Sequence, residues 1–114
     1  MTLAKTGLGN VTSIAASANA DVYTAAGGKK AYIRALLIHN TGTSSSQDVN
    51  IYFVPNGSSA ATANEIGNMT LTAKDTAFFE LAYPLTMTTN GDAINVANGS
   101  GNVTNVLVLG DVES

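Results

Sequence analysis

Short runs of β-branched and aromatic residues alternate with clusters of Gly, Asn, Ser and Asp. This alternation of strand-forming and turn-forming segments constrains the fold more than any other feature. Clusters such as Asn56-Gly57, Asn90-Gly91 and Asn98-Gly99 close the runs, because Asn and Gly tolerate the positive φ of tight turns. Long amphipathic helical patterns do not occur between the runs. We therefore predict about eight strands, at residues 10–16, 20–25, 30–40, 48–55, 66–72, 76–83, 92–98 and 102–112.

This strand spacing indicates an all-β fold, in which two antiparallel sheets pack face to face as a jelly-roll-like sandwich. A parallel sheet is disfavoured because its crossovers need helices. The 114 residues have room for one domain. Small, poorly periodic residues at the start predict an extended N-terminal arm over residues 1–19, before a sandwich domain over residues 20–114. Residues 41–47 predict an exposed loop, and the capping-box spacing of Thr62 and Glu65 allows either one helical turn or an irregular loop.

Composition removes several classes of function. Charged residues make up 11% of the chain, the net charge is -3, and no basic stretch exceeds Lys29-Lys30. We expect no nucleic-acid partner, because phosphate affinity needs clustered cations. The chain has no Cys and one His, which excludes thiolate zinc sites and thiol nucleophiles. Without a long apolar run we expect no membrane span and no signal peptide, and a soluble product made in a cytoplasm.

The sequence offers weak candidates for chemistry. His39 is close in sequence to Ser44, Ser45, Ser46 and Asp48, but these serines occupy a low-complexity loop without a Gly-x-Ser-x-Gly elbow. The acidic residues near the C-terminal strands do not form a calcium-loop pattern. We therefore predict no enzyme activity, no catalytic residues, no cofactor and no metal.

Two predicted strands are apolar on both faces. In the third predicted strand, strict alternation places Ala31, Ile33, Ala35 and Leu37 on one face. The other face then carries Tyr32, Leu36 and Ile38, interrupted by Arg34. In the last predicted strand, Leu107 and Leu109 lie on the face opposite to Val106, Val108 and Val112. A sandwich buries only one face of each strand, and monomers rarely expose large apolar patches. We predict that copies of the same chain cover the outer faces. Cover by loops or by the arm folding back is the alternative.

The other strands alternate regularly between apolar and polar residues. The pattern predicts a core that includes Val49, Ile51, Phe53, Ala77, Phe79, Leu81, Tyr83, Ile94 and Val96. Exposed aromatic side chains such as Tyr23 or Tyr32 would suit stacking on sugar rings, although packing at an interface is an alternative use.

Residues 20–40 resemble a recurring pattern in small structural proteins of tailed bacteriophages. In that pattern a Tyr-Thr-x-x-x-Gly-Lys turn, here Tyr23 to Lys29, leads into a long strand that ends in His-Asn, here His39-Asn40. The resemblance continues through residues 49–57, 71–76 and 90–96, and covers about residues 20–112. Its motifs are turns and strands without catalytic content. Ala26-Gly27-Gly28 stands where many relatives have Pro-Ala-Gly.

The resemblance implies a virion protein, among which are capsid cement or decoration proteins. Such proteins sit on the outside of the assembled head, often as homotrimers, and lock neighbouring major capsid protein subunits; related sandwiches occur as receptor- or carbohydrate-binding modules of tails and fibres. It implies a place on the capsid surface after synthesis in the bacterial host cytoplasm. Arm residues that would anchor on a neighbour are Leu3, Leu8, Val11 and Ile14; the interface residues predicted on the strands are Tyr32, Arg34, Leu36, Ile38, Val106 and Val108.

Overall fold

The structure is a computed structural model that describes residues 3–4, 8 and 10–113, with residues 3–4 described as backbone only. Its strands are β1 (Leu3–Ala4), β2 (Val11–Ile14), β3 (Asn19–Thr24), β4 (Lys30–Asn40), β5 (Gln47–Val54), β6 (Glu65–Leu71), β7 (Thr76–Met87), β8 (Ala93–Asn98) and β9 (Thr104–Glu113). The described residues contain no α-helix. Among these residues there is a single 3₁₀ turn, at Thr62–Asn64, which follows Ala61 and lacks the predicted side-chain cap.

The strands form two antiparallel sheets, which we call sheet I and sheet II. Sheet I has the order β1-β9-β4-β7, with β2 also pairing β9, and sheet II has the order β3-β8-β5-β6. Because β4 occupies one side of β9, β1 and β2 share the other side and together fill one edge position. The eight resulting positions have the strand order of a jelly roll. The predicted all-β, two-sheet, jelly-roll-like sandwich is therefore confirmed.

The strand β4 contains a β-bulge that changes which residues face the core. Ile33 pairs with Gly110 and Ala35 pairs with Leu109, so that Arg34 is an extra residue without a partner on β9. An inserted residue shifts the alternation of side chains by one position. Before the bulge the odd-numbered residues of β4 are buried, and after it the even-numbered residues are buried.

The prediction that Leu36, Ile38, Val106 and Val108 face outward is therefore wrong. All four side chains lie in the core between the sheets. Leu36 pairs with Val108 and Ile38 pairs with Val106, and cross-strand partners point to the same face. Strict alternation failed because the bulge at Arg34 cannot be read from the apolar pattern of β4 alone. The outward residues of this region are instead Leu37, Leu107 and Leu109, which are partly exposed.

Part of the predicted N-terminal arm belongs to the sandwich. Residues Val11–Ile14 are extended, and they pair with β9 as an edge strand. The side chains of Leu8 and Ile14 are buried in the core, so they are not available as anchors on a neighbour. Within the described residues, the boundary predicted after residue 19 does not separate an arm from a domain.

Two adjacent leucines of β4 test the shift in alternation. Leu36 is 1% exposed, whereas Leu37 is partly exposed on the outer face. We expect Leu36→Ala to lower the free energy of unfolding by about 3 kcal/mol, because it leaves a cavity in the core. Leu37→Ala removes the same atoms from the surface and is expected to cost less than about 1 kcal/mol. Urea denaturation of both variants measures the difference, and equal losses would contradict the bulge.

Buried amide side chains form hydrogen bonds that link the loops at one end of the sandwich. Asn40 donates hydrogen bonds from Nδ2 to the carbonyl oxygens of Ser45, Leu71 and Thr72, at 3.1–3.2 Å. Gln47 is buried at the start of β5 and donates from Nε2 to Asn98 Oδ1 at 2.7 Å. The predicted loop therefore ends at residue 46, and its flanks are held by polar contacts in the interior.

Candidate interaction surface

An apolar row crosses the outer face of sheet I. The register pairs Val11 with Leu107, Leu107 with Leu37, and Leu37 with Phe78. Directly paired residues point to the same face with Cβ atoms about 4.5–5.5 Å apart, so the four side chains form one line over four strands. Val11 is 62% exposed and Phe78 is 52% exposed at the two ends of the row. Leu109 and Ala35 form a second, shorter apolar row beside it, which ends at the exposed Glu80 on β7.

Polar rows border this apolar centre. On one side Ser13 Oγ donates to Asn105 Oδ1 at 2.7 Å, and His39 Nδ1 lies 2.7 Å from Thr76 Oγ1. The other side carries charged residues at the ends of β4 and β9. An apolar centre with a polar rim is the usual anatomy of a protein–protein interface.

A shallow hollow lies at the β2 end of the apolar row. Its volume is about 180 Å³, and its lining is formed by Val11, Leu37, His39, Asn105, Val106 and Leu107. Phe78 stands at the opposite end of the same row. The outer face of sheet I therefore carries both a protruding aromatic side chain and an apolar depression.

The outer face of sheet II has the opposite character. Side-chain hydrogen bonds link neighbouring strands across this face. They run from Thr70 Oγ1 to Asp48 Oδ1 at 2.7 Å, from Asn68 Nδ2 to Asn50 Oδ1, and from Asn95 Nδ2 to Asp21 Oδ1 at 2.9 Å. Asp21, Asp48 and Glu65 are exposed. These hydrogen bonds make the outer face of sheet II polar. One acceptor is not satisfied by them, because Asn95 Oδ1 is buried and has no hydrogen-bond partner within the described residues.

The predicted interface residues fall into three groups. Val11, Tyr32 and Arg34 are accessible at the surface. Leu8, Ile14, Leu36, Ile38, Val106 and Val108 are buried within the subunit. The side chain of Leu3 lies outside the described residues. The predicted apolar outer face thus exists in sheet I, but mainly with other residues than those named.

Tyr83 is an exposed residue that the sequence pattern placed wrongly in the core. Residues 81–84 of β7 lie opposite the single bulge residue Arg34, because Leu85 pairs with Ile33 and Glu80 pairs with Ala35. This four-residue excursion leaves Tyr83 85% exposed. Pro84 was the available signal, since proline within a strand marks an edge or a bulge.

The two tyrosines considered for sugar stacking are not free aromatic platforms. Tyr23 is buried, which corrects its predicted exposure, and burial raises the pKa of its phenol. Tyr32 is half-buried, and its hydroxyl donates to Glu113 Oε2 at 2.7 Å. That hydrogen bond, followed by desolvation and the negative charge of Glu113, raises the pKa of Tyr32 above 10.0.

A raised tyrosine pKa makes stability fall in alkali. The folded state holds the phenol proton more tightly than the unfolded chain, so the stabilisation is complete below about pH 10 and is lost as pH rises through the folded pKa. We expect Tyr32→Phe to reduce this alkaline loss, while Tyr23 retains its share. Urea denaturation between about pH 8 and pH 11 measures the slope. An unchanged slope in the variant would contradict the role of the Glu113 hydrogen bond.

Two other kinds of site are absent from the described part of the chain. Within residues 8 and 10–113, no three His, Asp or Glu side chains lie together so that they could hold a metal ion. No helix in the described part of the chain is long and apolar enough to cross a membrane.

Comparisons with known proteins add little to these observations. No protein-family model matches the chain, and no curated protein matches it. Among solved structures the chain is similar to part of the structure of infectious bursal disease virus Gt strain, with a TM-score of 0.34 and 9% identity over 90% of this chain. It spans 32% of the length of that chain. The fold assignment therefore rests on the strand order of the sheets.

Proposed function

We propose that this chain is a structural protein of a virus particle and that it works by packing against other proteins through the outer face of sheet I. The contrast between the two outer faces carries the proposal. One face has an apolar row with a polar rim, and the other has hydrogen-bonded Asn, Asp and Thr side chains. Apolar area that is left uncovered in a monomer favours association.

In its finer form the proposal is a capsid cement protein of a tailed bacteriophage. The resemblance of residues 20–112 supports this form, as does the jelly roll, which is common in viral capsid proteins. The chain would be made in the host cytoplasm and bind the outside of the assembled head, where it would link major capsid protein subunits. A protein that binds only the assembled shell stabilises that shell by mass action. This role requires no catalytic residue and no cofactor.

The copy number of the chain in purified virions tests this proposal. A cement protein is expected in many copies on each head, and heads that lack it are expected to break open at a lower temperature. Quantitative gel analysis and heating of virions with and without the chain measure both quantities. Absence of the chain from virions would refute the virion role, and a few copies on the tail would refute the cement form.

A receptor- or carbohydrate-binding module of a tail or fibre is the second candidate, and the exposure of Tyr83 favours it. An aromatic ring that is 85% exposed can stack on a sugar. Glycan-array binding that is lost in Tyr83→Ala, but kept in Phe78→Ala, would support this candidate. Absence of glycan binding by the unmodified chain would reject it.

A further inference from the structure

We infer that the outer face of sheet I is covered by the same face of a second copy of this chain, in a two-fold dimer. The two-fold axis lies between β4 and β9 and is parallel to these two strands. The inference deepens the proposed function and rests on it for the use of this face. The distribution of charge, the shape of the apolar row and the area of the face favour a second copy as the occupant.

The charges at one end of the face are arranged to meet their opposites in a second copy. The outer end of β4 carries Lys30 and Arg34, and the adjoining end of β9 carries Asp111 and Glu113. An axis between these two strands exchanges them, so that basic residues of one copy lie over acidic residues of the other. Within one copy Arg34 Nε already lies 3.6 Å from Asp111 Oδ2. Complementary charges of this kind fix the register of an interface.

The same axis matches the protruding side chain to the hollow. It exchanges β7 with β2, and therefore places Phe78 of each copy over the Val11 end of the apolar row of the other. The hollow of about 180 Å³ at that end has apolar walls from Val11, Leu37 and Leu107. A reciprocal contact of this type is what an isologous interface requires, since each patch meets its own copy.

The polar row of Ser13, Asn105, His39 and Thr76 is also compatible with this axis. His39 of one copy lies over Asn105 of the other, and Thr76 lies over Ser13. These side chains have both hydrogen-bond donors and acceptors, so they can exchange partners across the interface.

The size of the face indicates a reversible dimer. Four strand positions span about 19 Å, and β9 from Asn105 to Glu113 spans about 27 Å, which gives about 500 Å² of flat face in each copy. Standard interfaces bury about 800 Å² per partner. Interfaces that bury less than about 1,200 Å² in total are typically weak and transient, so we expect a reversible dimer rather than an obligate one.

Complementary charge reversal tests the arrangement. Residues 34 and 111 of both copies meet at this contact. All four are acidic in Arg34→Asp and all four are basic in Asp111→Arg, so each variant alone is expected to dimerise at least about tenfold more weakly. In an equimolar mixture the two variants face each other with opposite charges and are expected to form a heterodimer close to wild-type affinity. Sedimentation equilibrium across the micromolar range measures both, and thermal melting of each variant confirms that it folds.

A second pair of variants tests the apolar contact. Phe78→Ser is expected to weaken the dimer at least about tenfold, whereas Ile66→Ser changes an exposed apolar residue of sheet II and is expected to leave it unchanged. A monomer at all concentrations, a trimer, or a mixture that associates no better than its components would overturn the inference. None of these results would change the copy number in virions, which tests the proposed function separately.

Discussion

The variant Asn98→Ala is expected to lose about 4 kcal/mol of unfolding free energy, because several buried polar groups would lose their partners at once. Asn98 is 6% exposed, and its Nδ2 donates to the carbonyl oxygens of Ile14, Ala15 and Asn102 at 2.8–3.2 Å. Its Oδ1 accepts from Gln47 Nε2 and from Thr104 Oγ1. The loss is a large part of the 5–15 kcal/mol that stabilises a typical domain.

The control for this variant is Asn68→Ala. Asn68 is also an asparagine on a strand, but it is exposed, and its side chain donates one hydrogen bond to Asn50. We expect this substitution to change stability by no more than about 0.5 kcal/mol. Urea denaturation compares the two variants. Similar midpoints would mean that the buried amide cluster does not hold this end of the sandwich.

Asn98→Asp separates the loss of donors from the loss of volume. The aspartate has nearly the shape of asparagine, but its ionised carboxylate donates no hydrogen bond to the three carbonyl oxygens. It also places a charge in the interior, which costs more than a neutral group. We expect it to be at least as unstable as Asn98→Ala at neutral pH and to recover partly in acid, where the carboxyl is protonated. Wild-type stability at neutral pH would contradict the donor role.

The sequence predicted the strands well because their signals are local. Gly and Asn at the turns mark the ends of the strands, and Gly57 and Gly91 adopt the positive φ expected there. The 11-residue β4 was predicted with its observed bounds. The jelly-roll class followed from the number of strands and the lack of helices between them.

The candidate surface could be predicted only in part, because its residues depend on one inserted position. An apolar pattern on both faces of β4 and β9 indicates correctly that an outer face is apolar. It does not say which of Leu36 and Leu37 belongs to that face, since the answer depends on Arg34 being left without a partner on β9, a strand that is distant in the sequence. Two faces with equally apolar residues cannot be told apart from alternation alone. The buried role of Asn98 could not be predicted either, because three of its partners, Ile14, Ala15 and Gln47, are distant in the sequence.

A local signal for the bulge does exist in Gly110 on the partner strand. Glycine inside a strand indicates a bulge or a close approach of another backbone. Gly110 pairs with Ile33 beside the bulge, and a Cβ built at this position would collide with the carbonyl oxygen of Tyr32 and lie 3.1 Å from Ile33 Cα. The missing side chain therefore lets β4 and β9 approach where the extra residue distorts the ladder.

Gly110→Ala is accordingly expected to lose about 4 kcal/mol or more, at the upper end of the cost of overpacking. The colliding atoms belong to the backbone of the central strand β4, so no rotation of a side chain can relieve the contact. Gly27→Ala is the matched control. A Cβ there comes no closer than 3.6 Å to the side chain of Asn90, which is ordinary contact, and we expect a change below about 1 kcal/mol. Because the bulge sets which leucines of β4 reach the outer face, a Gly110→Ala variant as stable as wild type would mean that the bulge does not depend on this glycine.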